Sequence, residues 1–216
     1  MSGFGGAPTV APMENVCLIV GLGNPGSEYA RTRHNAGFVV LDRLAERWGL
    51  SWRNERKFKA VLARSDRNGQ RLVLCKPQTY MNCSGEAVGA VRAFYQVEKE
   101  SLLVVVDDAD LPLGHLRLRP SGSSGGHHGL ESIEQHLGTR NYARLRVGIG
   151  RQGTERQIAG YVLGRFDSTE AAVADKILDV AADQAQTWLV AGIQKAMNLY
   201  NGQPLSSGPV DEGKKQ

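Results

Sequence analysis

Short apolar runs separated by polar turns set the outline of the chain. The run VCLIVG (16–21) is β-branched without alternation, which predicts a strand buried on both faces. From Asn35, the apolar residues Phe38, Leu41, Leu44, Ala45 and Trp48 recur at helical spacing until Gly49 closes the segment. AVLARS (60–65) and RLVLCK (71–76) bracket Asn68-Gly69, a dipeptide favoured in tight hairpin turns. A second helix is expected over 82–96, with Asn82 or Ser84 as its N-cap. LLVVVDD (102–108) is the most apolar run and is expected at the sheet centre, its acids at the rim. LGHLRLR (113–119) and RLRVGIG (144–150) alternate, so Leu, Val and Ile face a core while Arg117, Arg119, Arg144 and Arg146 face outward. A short helix is expected at 129–137 and a long one at 169–198. Strands interleaved with helices, plus one hairpin, predict an α/β fold: a single-domain sandwich with a central twisted mixed β-sheet flanked by helices. That domain is expected over 15–202, between a flexible leader at 1–14 and a disordered tail at 203–216.

Length and composition narrow the classes. A chain of 216 residues can bury a sizeable core without disulfides or structural metal. No apolar run is long enough to span a bilayer, and the first sixteen residues lack a basic cluster followed by an apolar stretch, so neither a membrane nor a secretory route is expected. Cys17, Cys75 and Cys83 form no CxxC pair, which fits a reducing cytoplasm better than a disulfide scaffold or a zinc site. The net charge of +4 is unevenly spread: residues 31–76 hold twelve Lys or Arg against four Asp or Glu, while 157–200 hold three against five. Such asymmetry is compatible with a basic face for a polyanion, and equally with solvated surfaces.

Several short motifs carry polar chemistry. GLGNPG (21–26) follows a strand and fits the G-x-G-x-x-G pattern, but the helix begins too late to receive a pyrophosphate on its N-terminus. A tight turn presenting Asn24 at a strand end is the better reading. His34 stands before a helix, where the N-terminal dipole disfavours the imidazolium and leaves a base suited to neutral pH. Asp107, at the rim end of the apolar strand, can orient such a histidine, with Asp108 and Asp110 as rivals. TYMNCSG (79–85) offers an amide, a thiol and a hydroxyl, but no G-x-S-x-G elbow supports covalent catalysis at Ser84. The glycine-rich SGSSGGHHGL (121–130) can bring backbone N–H groups to a ligand or move as a lid, and its adjacent His127 and His128 make a poor metal motif. Arg119 and Arg146 lie on strands that could pair, so their guanidinium forks could converge on one phosphate.

Together the strings LIVGLGNPGSEYARTRHNAGF, KPQTYMNCSG, DDADLPLGHLRLR, GSSGGHHGLESI, RLRVGIGR and YVLGRF resemble the bacterial peptidyl-tRNA hydrolases. The resemblance implies a monomeric cytoplasmic enzyme that hydrolyses the ester between a peptide and the 3′ end of tRNA, without metal, cofactor or covalent intermediate. It implies His34 as base, Asp107 as its support, and Asn24 as the residue separating N-blocked from free aminoacyl-tRNA. Tyr29, Tyr80, Met81 and Asn82 are implied in binding the peptide and 3′ end, and Arg119 and Arg146 in gripping the 5′ phosphate. The family usually reads GGHNG; here GGHHG places His128 where a substrate- or water-binding Asn is expected. A plant intron-splicing factor shares much of these motifs, which keeps a non-enzymatic RNA-binding protein with a protein partner as the alternative.

Overall fold

The computed structural model describes residues 16–67, 70–150 and 158–203. Within them the strands β1 (Val16–Gly21), β2 (Arg53–Glu55), β3 (Ala60–Arg67), β4 (Gln70–Pro77), β5 (Leu102–Asp108), β6 (Leu116–Arg119) and β7 (Ala143–Gly148) form one sheet. Their spatial order is β2-β3-β4-β1-β5-β7-β6. The inner strands β4, β1, β5 and β7 are parallel, and both edges pair antiparallel. Two helices, α1 (Ala36–Arg47) and α5 (Ala171–Tyr200), cover one face; α2 (Ser84–Tyr95) and α3 (His128–Leu137) cover the other. A short α4 (Ile158–Val162) lies at the C-terminal rim of the sheet, where Val162 helps line a cleft.

Helices on both sides explain why β1 and β5 are buried at every position and apolar up to the two aspartates that end β5. Ile19, Val105 and Leu145 pack under Val40, Leu41 and Leu44 of α1 and Ala181 of α5. Leu18, Val20 and Val104 pack under Val88 and Val91 of α2 and Ile133 of α3. Each of these Val, Leu and Ile side chains contributes about 1.5–3 kcal/mol through burial. The glycines of the G-x-G motif serve this packing. A side chain on Gly21 would collide with the backbone of Gly37, and one on Gly37 with Leu22 and Val105. The missing side chains let α1 lie directly on β1 and β5, bringing the start of α1 over the strand ends.

Several expectations are adjusted. β1, not β5, takes the centre, because the hairpin of β3 and β4 and the short β2 extend the sheet on one side. The hairpin register closes at Arg67 opposite Gln70. β2, three polar residues on the edge, and α4 were not anticipated, and α5 breaks at Gly192 (φ 80°, ψ 170°). Neither Asn82 nor Ser84 caps α2: a 3₁₀ turn at Met81–Cys83 leads into it, and Cys83 holds the cap position without a side-chain hydrogen bond. Ser84 is fully buried, which removes it as a nucleophile. Arg144 is not outside but 1% exposed. The loop before α3 covers it, its guanidinium lies 4.3 Å from the Tyr142 ring centre, and it donates to the carbonyls of Arg140 (2.8 Å) and Ser123 (3.2 Å). The leader at 1–14, the Asn68-Gly69 turn and the tail beyond Gln203 lie outside the described residues.

The charge asymmetry also resolves. Arg43 of α1 pairs with Asp175 (2.5 Å) and Asp179 (2.7 Å) of α5, and Arg47 with Asp183 (2.5 Å) and Asp179 (3.3 Å). Lys76 pairs with Asp42 and Lys59 with Glu86. Much of the basic surplus of 31–76 is thus neutralised within the molecule. Among the described residues no helix is long and apolar enough to cross a membrane.

Candidate active site

His34 lies in a 3₁₀ turn (Arg33–Asn35) that feeds α1, and Asp107 is the penultimate residue of β5. The parallel pairing of β1 with β5 sets them side by side. The His34 Nδ1 lies 3.0 Å from both carboxylate oxygens of Asp107. Nδ1–H therefore donates to the carboxylate, and the opposite ring nitrogen, Nε2, keeps its lone pair for the cleft. Burial works against the charged form of His34, but the charge and hydrogen bond of Asp107 outweigh it and raise the imidazole above its ordinary range. The helix N-terminus was expected to disfavour the imidazolium; the neighbouring carboxylate instead shifts the balance toward it. Burial likewise pushes Asp107 up, yet the charge of His34 and the donors of His127 and His34 hold its carboxyl well below the usual carboxylate range. Asp108 is not a rival partner: its carboxylate pairs with Arg146 (3.2 Å) and caps the Asp110 N–H (2.9 Å).

Beside this pair, Asn24 is 8% exposed and fixed from two sides. Its Oδ1 accepts from the Met81 N–H (2.8 Å), and its backbone exchanges hydrogen bonds with the Asn35 side chain (2.9 and 3.0 Å). With Oδ1 engaged, the Nδ2 donors are what Asn24 offers to the cleft. Asn35 was not singled out from sequence; its value lies in a contact eleven residues away. His127 was also missed. Its Nε2 lies 3.2 Å from Asp107 Oδ1, its ring is centred 5.2 Å from that of His34, and its Nδ1 accepts from the Gly129 and Leu130 N–H groups (3.2 and 3.4 Å).

These groups floor an open cleft of about 390 Å³. Tyr80 (65% exposed), Met81 and Asn82 form one wall, and Val162 and Leu163 face them from the α4 side. That second wall is tied down by Arg33, which donates to the Arg165 carbonyl (2.5 Å) and pairs with Glu170 (2.5 Å), while Thr32 bridges to Arg165. Gly125 and Gly126, both left-handed (φ 61° and 77°), turn the glycine-rich loop over the remaining side. His128 is on that rim, exposed, its Nδ1 3.0 Å from Glu131. Tyr29 is half-buried and does not line the cleft. β6 and β7 pair as expected, with Arg117 opposite Arg146 and Arg119 opposite Arg144. Arg119 is exposed, whereas Arg146 is engaged with Asp108 and with the Ser123 and Ser124 carbonyls (both 2.8 Å). The two are diagonal neighbours, but only Arg119 is free to swing.

One atom of each of His34, Asp107 and His127 lies within 4.8 Å of the others, close enough for a metal by distance. The tautomer of His127 argues against it. Its Nδ1 accepts two helix N–H groups, so Nε2 bears the proton and has no lone pair to give a cation. This donor set suits a proton on each ring better than an ion between them.

A mixed-sheet α/β protein with a carboxylate-held histidine, an oriented amide and an open cleft at the strand ends has the equipment of a hydrolase that activates water. The comparisons make this specific. The sequence profile of the peptidyl-tRNA hydrolase family matches residues 18–208, and the chain belongs to that family. It is 50% identical over 201 residues to a peptidyl-tRNA hydrolase of Synechococcus sp. (strain JA-3-3Ab), covering 92% of this chain and 88% of the relative. It is 46% identical to one of Bacillus cereus (strain Q1) over 184 residues, 85% and 98% of the two chains. The crystal structure of peptidyl-tRNA hydrolase from Acinetobacter baumannii superposes with a TM-score of 0.83 at 41% identity, covering 89% of this chain and 97% of that one.

Proposed function

We propose that this cytoplasmic enzyme hydrolyses the ester joining a peptide to the 3′ ribose of tRNA, with His34 as general base and water as nucleophile. The observation that carries this reading is the 3.0 Å contact of His34 Nδ1 with both oxygens of Asp107 at the floor of the cleft. Nε2 takes a proton as the water oxygen attacks the ester carbonyl, and Asp107 stabilises the imidazolium that results. As the intermediate collapses, the carbonyl–O3′ bond breaks and the same proton passes to the ribose oxygen. The Asn24 Nδ2 donors select the substrate. The acyl oxygen of an N-blocked residue accepts a hydrogen bond from them, whereas the ammonium of a free aminoacyl-tRNA offers only protons to a donor. Asn82 and the backbone of Gly125 and Gly126 flank the carbonyl, where developing negative charge needs donors. Tyr80 offers a ring on which the terminal base can stack, and Arg119, exposed, takes phosphate beside Arg146.

The test is release of peptide from an N-blocked aminoacyl-tRNA by wild type, His34→Ala and His128→Asn, with EDTA present throughout. Turnover in wild type and His128→Asn, with loss of about 10²- to 10⁴-fold in His34→Ala at unchanged tRNA binding, is expected. Near-normal turnover in His34→Ala would refute the assigned base, and loss of wild-type activity to EDTA would refute the metal-free mechanism.

A further inference from the structure

Asp107 serves two histidines. Its Oδ1 receives the Nε2–H of His127 at 3.2 Å as well as the Nδ1–H of His34 at 3.0 Å. Among the described residues these are the side chains within hydrogen-bonding distance of it. The His127 ring cannot change tautomer freely, because its Nδ1 is the N-cap acceptor of α3. Swapping the proton to Nδ1 would set an N–H against the Gly129 and Leu130 N–H groups and leave Oδ1 facing a lone pair. Helix α3 thus fixes a neutral imidazole as a one-way donor to the catalytic carboxylate.

We propose that His127 is a positioning residue: locked by the N-terminus of α3, it holds Asp107 in place and takes part of its charge, limiting how tightly Asp107 retains the proton on His34. A base must release its proton to the leaving oxygen as well as accept it, and a carboxylate devoted wholly to His34 would hold that proton too firmly. The other charged groups around the pair are matched elsewhere. Asp108 of β5 faces Arg146 of β7, Arg33 beside His34 faces Glu170, and His128 faces Glu131 on α3, while Asp110 lies on the loop after β5 at the cleft edge.

Two variants separate the parts of this role. His127→Asn keeps an acceptor for the α3 N–H groups but is too short to reach Asp107; His127→Gln extends an amide N–H to Asp107 instead. The proposal rests on His34 being the base. In His127→Asn the acid limb of kcat is expected to rise by about half to one pH unit, because Asp107 then serves His34 alone. kcat near neutrality falls about 10- to 100-fold, with KM within twofold and Tm near wild type. His127→Gln returns the limb toward its wild-type position. The His34 ring, titrated by NMR without substrate, shows the same upward shift in His127→Asn. An unmoved His34 titration in His127→Asn overturns the proposal, as does equal behaviour of the Asn and Gln variants. If instead His34→Ala retains turnover, the reading of the base has failed, and the NMR titration still decides what His127 does to His34.

Discussion

Two regions of this molecule are rich in ionic pairs and use them differently. At the rim of β1 and β5, the His34–Asp107–His127 contacts are buried and flanked by Arg146–Asp108, itself nearly enclosed. At the seam between α1 and α5, Arg43 and Arg47 meet Asp175, Asp179 and Asp183, carboxylates half or more exposed to water. The residue types overlap and the distances are similar. Solvent makes the difference: at the seam water and salt already satisfy each charge, whereas at the rim each group depends on the partner the fold supplies. The seam carries more charge in the sequence, and the rim carries the chemistry.

The sharpest way to test that contrast is Asp107→Asn. The amide preserves size but removes the charge that stabilises the imidazolium, so kcat is expected to fall about 10³-fold while tRNA binding holds. In wild type, His34 must be neutral to accept a proton and its imidazole is raised, so kcat climbs with pH through a limb above the ordinary imidazole range. In Asp107→Asn the residual activity should show that limb at lower pH; a limb left in place would detach it from His34. Next in size, Arg146→Ala leaves Asp108 uncompensated and the Ser123–Ser124 carbonyls without a donor, costing about 3 kcal/mol in denaturant unfolding and raising KM. An unfolding midpoint equal to wild type would show that water replaces the guanidinium. Arg119→Ala should leave stability unchanged, raise KM several-fold and reduce the slope of log affinity against log salt by about 1, as for one lost phosphate contact. A KM increase with an intact slope would remove Arg119 from the phosphate site. Smallest of all, Arg43→Ala at the seam is expected to cost less than about 1 kcal/mol and leave kcat/KM untouched; a larger loss would mean that the seam behaves like the rim.

What the sequence disclosed follows from which forces are local. VCLIVG, the 60–77 hairpin and the periodic stretch of α1 were legible because their hydrophobic period states both the element and its buried face. β2 was not, because three polar residues on an edge have no period to read. Alternation told which way Arg144 points from β7, but not that the loop before α3 covers it. At the site, Asn24 and Asp107 stood out by residue type at strand ends, and His34 just before a helix. Asn35 and His127 did not, since one acts through a hydrogen bond across a turn and the other through a helix cap and a strand twenty residues away. The upward shift of His34 was out of sight for the same reason: the local dipole was visible, and the carboxylate 73 residues on was not yet beside it.

The tie between Thr32, Arg33 and the segment around Arg165 and Glu170 has a consequence for the order in which the chain becomes competent. Arg33 reaches a carboxylate 137 positions downstream, so the turn that holds His34 is framed only after most of the protein has been synthesised. Pairings this distant in sequence form late and slowly. A nascent chain still attached to its own tRNA in the ribosome therefore lacks the frame of its site until the start of α5 has emerged.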